Sequence, residues 1–198
     1  PVDGHPEIAQ VLKEPDQEHN IGGGWHTDHS YDPAPARGSI LFAREIPPIG
    51  GDTLFAGMGA GCDGAAEAGN TLPAGARADP YGGQVLSGGR KDTDAVGGDV
   101  THPIVVAHPH TARPLLYVNP GFTTSIEGLT VAESRALLTF LFEHGRRPEF
   151  QIRFQWRPGS LAMWDNRSTW HFALNDYHGH RRYLHRITIA GDELAAAA

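Results

Sequence analysis

Three features of the sequence predict a mainly β fold of the sandwich or jelly-roll kind. Short apolar runs recur between turn signals, a single segment has a helical period, and no regular alternation of strands with helices is present. The runs fall at residues 39–44, 52–56, 104–107, 114–118, 150–156, 160–164 and 183–190. Turn formers separate them: Pro47-Pro48 and Gly50-Gly51, then Asn119-Pro120-Gly121, then Pro158-Gly159. The helix is expected to start at Thr130, with Glu133 three residues later completing a capping box. Ala136, Leu137, Leu138, Leu141 and Phe142 are its apolar residues, and Gly145 is its expected stop.

The chain has 198 residues, of which 25 are glycine and 12 histidine. Twelve of the glycines lie between Gly57 and Gly98, together with Pro73 and Pro80 and without apolar period. Residues 57–98 are therefore expected to form a loop or lid insert between two regular halves. Sixteen Lys+Arg against 23 Asp+Glu leave a net charge of −7, so a broad basic face for nucleic acid is not expected. No apolar run approaches the roughly 20 residues that span a bilayer, which argues against a membrane partner. One cysteine, Cys62, excludes an intramolecular disulfide framework and fits a reducing cytoplasm.

Chemistry concentrates in two clusters. In Trp25-His26-Thr27-Asp28-His29, an extended backbone would send His26 and Asp28 to one face. An imidazole and a carboxylate so placed are two-thirds of a facial triad for Fe(II); the alternative is a surface loop with two solvated polar residues. The second cluster, residues 164–186, holds His171, a possible third ligand from far along the chain. Its last segment alternates, with Arg182, Leu184, Arg186 and Thr188 on one face and Tyr183, His185, Ile187 and Ile189 on the other. Two guanidiniums on one face imply either an exposed salt-bridged surface or two seats for carboxylate-like groups.

The blocks Trp25-His26-Thr27-Asp28, Gly50-Gly51-Asp52-Thr53-Leu54, Val118-Asn119-Pro120-Gly121-Phe122-Thr123 and Trp164-Asp165-Asn166-Arg167 occur in this order. Asn175-Asp176-Tyr177, Arg181-Arg182 and His185-Arg186 follow. In these blocks and their spacing the sequence resembles the taurine dioxygenase / 2,4-dichlorophenoxyacetate dioxygenase (TauD/TfdA) family of Fe(II)- and 2-oxoglutarate-dependent oxygenases. The resemblance implies a double-stranded β-helix (jelly-roll) core with a few flanking helices. It implies that His26, Asp28 and His171 hold the metal, and that Thr53 and Arg182 hold the distal carboxylate of 2-oxoglutarate. Arg186 matches an arginine that faces the anionic group of the substrate in sulfonate- and sulfate-oxidising members. His29 either lines that pocket or lies on the surface, while Tyr183 and His185 are left as structural residues. The implied reaction consumes O2 and 2-oxoglutarate, hydroxylates a small organic anion and releases succinate and CO2.

Three departures from the family pattern shape the expectation. Gly22-Gly23-Gly24 stands where sulfonate-oxidising relatives carry amide or acidic side chains, so taurine itself is not the expected substrate. The chain begins where relatives have already built an N-terminal portion, so residues 1–198 are read as one catalytic domain without that portion. Glycines and Pro73 interrupt the helix that relatives carry over residues 59–83. Assembly into a homo-oligomer is a further expectation from the family. The competing functions are a His/Asp/His metal-dependent hydrolase and a non-catalytic jelly-roll binding protein.

Overall fold

The computed structural model describes residues 1–60, 75–78 and 100–197, the strand at 75–78 by its backbone alone. Twelve strands and one long helix follow in order: β1 (Ala9–Lys13), β2 (Gly38–Glu45), β3 (Thr53–Gly57), β4 (Gly75–Ala78), β5 (Val100–Pro103), β6 (Val105–Ala107), β7 (Pro114–Leu116), β8 (Thr123–Ile126), α1 (Val131–Gly145), β9 (Gln151–Phe154), β10 (Leu161–Asp165), β11 (Thr169–Ala173) and β12 (Arg182–Ile189). One sheet has the order β1-β12-β2-β10 and a second the order β11-β3-β9. All their pairings are antiparallel, so the core is a jelly roll of two facing sheets.

The two-residue alternation of each strand decides what faces what. Leu41, Ala43, Phe55, Trp156, Ala162, Trp164 and Leu184, drawn from both sheets, form the core between them. The neighbouring positions Ala56 and Trp170 turn the other way and pack with Leu138 and Leu141 of α1. β11 and β3 of the second sheet are thus covered on both faces, while the edge strand β9 exposes Ile152, and His171, between Trp170 and Phe172, is directed away from the helix. Arg182, Leu184 and Arg186 face inward on β12, as the alternation predicts, and His185 pairs with the Tyr183 hydroxyl at 2.8 Å on the other face.

The apolar runs expected as strands all contain strands, with ends moved by one or two residues. β1, β5, β8 and β11 are not among the expected runs, because each lasts only four or five residues, too short for its alternation to stand out from the flanking turns. Within the stretch read as a loop insert, Met58 to Ala60 are helical and β4 pairs with both β5 and β8. The rest of that stretch, and the interrupted helix expected near it, lie outside the described residues.

The capping box of α1 is formed as expected. The Glu133 N–H donates to the Thr130 hydroxyl at 3.3 Å, and the Thr130 N–H donates to Glu133 Oε2 at 2.8 Å. Gly145 does end the helix, but not through a left-handed conformation. A Cβ there would sit 2.6 Å from Cη2 of Trp170, a side chain that is 1% exposed. Gly145→Ala should therefore destabilise the protein by about 1–3 kcal/mol through overpacking, outweighing the about 1 kcal/mol that alanine gains in helix propensity. Chemical denaturation decides between the two effects, and a stabilised variant would show that Trp170 yields.

Candidate functional site

His26 and His171 are joined through their backbones before they meet through their side chains. The His26 N–H donates to the His171 carbonyl at 3.1 Å, and the His171 N–H donates to the His26 carbonyl at 2.8 Å. This antiparallel bridge attaches the segment before Asp28 to β11. Asp28 itself is not on an extended strand as expected; it opens a turn in which His29 has φ of +59°. The chain therefore folds back, and Asp28 reaches the imidazoles from the turn rather than by simple alternation.

The three side chains converge. Asp28 Oδ1 lies 3.7 Å from His26 Nε2 and 3.8 Å from His171 Nε2, and one ligand atom from each residue falls within 4.8 Å of the others. All three are buried. His26 Nδ1–H donates to the Gly24 carbonyl at 2.7 Å, which leaves Nε2 as the lone-pair nitrogen facing Asp28. Burial, the neighbouring His26 and the Arg186 guanidinium outweigh the pull of Asp28 and depress the His171 pKa to about 3, so its ring is neutral. Burial alone would raise Asp28. It is held well below the usual carboxylate range instead, by the imidazoles, by Arg186 and by the Ser39 hydroxyl. Two imidazoles, that of His171 neutral, and an ionised carboxylate, all shielded from water, form a donor set that fits a divalent transition metal.

Nothing in the sequence pattern singles out Ser39. It faces inward on β2, donates to Asp28 Oδ2 at 2.6 Å and accepts from Asn166 Nδ2 at 3.1 Å. The Asn166 carboxamide oxygen in turn accepts from Trp164 Nε1 at 2.8 Å, and the Asn166 backbone carbonyl accepts from the Thr27 hydroxyl. This chain occupies Oδ2 and turns Oδ1 toward the imidazoles. The glycine run before His26 also acquires a reason. Gly22 has φ of +77°, and a Cβ there would lie 3.2 Å from His26 Cε1.

A cleft of about 400 Å³, counting its open mouth, runs past His26 and His171 to Thr53, Arg182 and Arg186. Arg182 is 3% exposed. Its Nε donates to the Gly51 carbonyl at 2.9 Å, while Nη2 has no hydrogen-bond partner among the described residues. Burial pulls its pKa below the usual arginine range. The Thr53 hydroxyl accepts from Trp156 Nε1 at 3.0 Å and so keeps its own proton to donate. Arg186 Nη1 lies 3.4 Å from Asp28 Oδ1, and its buried Nε has no partner among the described residues. Four residues on a strand rising about 3.3 Å each separate the two guanidinium stems by about 13 Å, enough for two separate anions.

The structure thus brings together His26, Asp28, His171, Thr53, Arg182 and Arg186. It does not bring His29 into the cleft lining: its Nδ1 pairs with Asp32 Oδ2 at 2.8 Å and its ring packs on Tyr31.

Two outcomes are expected. Ser39→Ala should lower divalent metal affinity about 10- to 100-fold, read by calorimetry with Mn(II), with little change in melting temperature. Because the folded-state pKa of His171 lies below its value in the unfolded chain, its contribution to stability is present above about pH 6.5. That contribution should be lost as the pH falls toward 3 in metal-free protein. Denaturation midpoints at pH 7 and pH 5 measure it, and His171→Gln should flatten the difference.

The comparisons with known proteins agree with this geometry. The family model described as taurine catabolism dioxygenase TauD, TfdA family matches residues 2–188. An alkylsulfatase from Acinetobacter baylyi is 32% identical over 185 residues, covering 87% of this chain and 58% of that protein. An alpha-ketoglutarate-dependent 2,4-dichlorophenoxyacetate dioxygenase from Cupriavidus pinatubonensis is 36% identical over 173 residues, covering 85% and 60%. The crystal structure of a taurine dioxygenase from Burkholderia xenovorans superposes with a TM-score of 0.79 at 37% identity, covering 99% of this chain and 68% of that one. The structure of AAD-2 in complex with Mn(II) and N-oxalylglycine superposes with a TM-score of 0.79 at 26% identity, covering 96% and 76%. This chain spans about three-fifths of the length of the two curated relatives. With a family model covering nearly the whole sequence and a jelly roll shared with solved members, the chain belongs to the TauD, TfdA family.

Proposed function

We propose that this chain is the catalytic core of an Fe(II)- and 2-oxoglutarate-dependent dioxygenase acting on a small organic anion: a sulfonate, a sulfate ester or a carboxylate. The observation that carries this reading is one cleft lined by His26, His171 and two inward guanidiniums, with Asp28 completing a buried two-histidine, one-aspartate donor set beside it. When bound, ferrous iron, 2-oxoglutarate and O2 supply the oxidising power for C–H hydroxylation, with succinate and CO2 as the other products.

The chain's own residues position and shield. His26, Asp28 and His171 would hold the metal. Arg182 and the free proton of Thr53 seat the distal carboxylate of the cosubstrate, a buried anion for a buried cation. Trp164 and Phe55 pack beside the His171 ring, with centroids 4.8 and 6.4 Å away, and keep water from that side of the site. Arg186, with a partly exposed side chain, faces the substrate's anionic group. Val11, Ile21, Leu41 and Ala173 line the same cleft, and Gly22 offers it backbone only. An anion with an apolar remainder suits that lining better than taurine, whose amine would find no side-chain partner at Gly22. A reducing compartment such as the cytoplasm would suit a ferrous centre and a chain with one cysteine. A hydrolase at the same three ligands would give Thr53 and Arg182 no part.

Anaerobic addition of Fe(II) and 2-oxoglutarate should produce a weak visible charge-transfer band, and aerobic turnover should release succinate with a small sulfonate, sulfate ester or aryloxy acid. Arg182→Met should lose the band. Arg186→Ala should keep it while the KM for the anionic substrate rises about tenfold or more. Absence of the band from the unmodified protein would overturn the dioxygenase reading.

A further inference from the structure

β1 pairs with β12 in a register that sets Lys13 directly opposite Arg182. Both side chains are buried, at 2% and 3% exposure. Lys13 Nζ, like Arg182 Nη2, has no hydrogen-bond partner among the described residues. Both cations lean on one aromatic ring: Nζ lies 4.4 Å from the Tyr177 centroid and the Arg182 guanidinium carbon 6.0 Å from it. Both also line one small recess with Asn20, Ile21 and Tyr177, and that recess shares Val11, Ile21 and Arg182 with the main cleft.

Two like charges set opposite each other across a strand pair repel, and each is costly to take out of water. An aromatic face offsets only part of that cost. The nearby carboxylates are committed elsewhere. Asp52 Oδ2 accepts from Arg153 Nε at 2.7 Å, and Asp176 Oδ1 accepts from the Gly51 N–H at 2.7 Å. Among the described residues neither Lys13 nor Arg182 has a carboxylate within 4 Å, so the pair is poised for an anion from outside the chain.

We propose that Lys13 and Arg182 together form a two-cation seat for the distal carboxylate of the 2-oxo acid cosubstrate. Lys13 is then a specificity-determining residue: it makes the protein select 2-oxo acids that carry a second carboxylate. This rests on the dioxygenase reading above, and sharpens it by naming a residue that neither spacing nor motif assigns. Arg182 supplies a planar fork held by Gly51, whereas Lys13 supplies a point charge on a flexible stem that can follow the remaining carboxylate oxygen.

The test is calorimetry under anaerobic conditions on the full chain loaded with Mn(II), titrated with 2-oxoglutarate and with 2-oxobutyrate, which lacks the distal carboxylate. Lys13→Met should weaken 2-oxoglutarate binding about tenfold or more and leave 2-oxobutyrate unchanged, while Lys13→Arg retains most of the preference. Since methionine removes a buried unpaired charge, the variant should melt cooperatively at or above the original temperature. Lys13→Gln gives the same reading should Lys13→Met fail to fold. Equal 2-oxoglutarate affinity in a folded Lys13 variant overturns the two-cation seat alone. Failure of the unmodified protein to bind 2-oxoglutarate overturns the dioxygenase reading and the seat with it.

Discussion

The site depends on two backbone hydrogen bonds between His26 and His171, residues from nearly opposite ends of the chain. Without that bridge the two imidazoles would belong to unrelated surfaces. With it, the alternation of β11 sends Trp170 to the helix and His171 to the cleft, and the turn after Thr27 carries Asp28 back to meet both rings. The packing of Trp170 against Gly145 and α1 holds β11 in place from behind. The helix therefore supports the ligand set although it contributes no residue to it.

Electrostatic arrangement is the second organising principle. The interior holds an ionised carboxylate and two cations that ordinary burial would disfavour, and each is stabilised by a different device. Asp28 is offset by Arg186 and by the hydroxyl of Ser39. Arg182 is clamped by a carbonyl of the Gly50-Gly51 turn, itself anchored by Asp176. Lys13 rests on Tyr177. The imbalance is local: carboxylate charge is satisfied at the metal end of the cleft, while positive charge is left in excess at the Arg182 end. A cleft polarised this way suits a ligand that brings its own negative charge to the inner end.

His26, Asp28 and His171 were singled out by spacing, which left a solvated surface loop as the alternative, and were given their candidate role as ligands only by family resemblance. Thr53, Arg182 and Arg186 were readable through family resemblance, and the β12 alternation placed the two arginines on one face independently. Ser39, Asn166 and Lys13 were not readable. Their partners lie 11, 127 and 164 residues away respectively in Asp28, Ser39 and Tyr177, and a serine or lysine in a strand, or an asparagine in a turn, carries no local mark of such a contact.

The sequence by itself determined seven of the strands and the capped helix, which follow from local periodicity and turn chemistry, and its motif blocks pointed to the candidate ligand residues through family resemblance. Only the tertiary structure decided how Asp28 arrives, why Gly22 and Gly145 are glycines, where His29 points, and which groups hold the cations. Each of those rests on atoms from distant segments approaching within about 4 Å, a range at which packing and desolvation act and which no local pattern encodes.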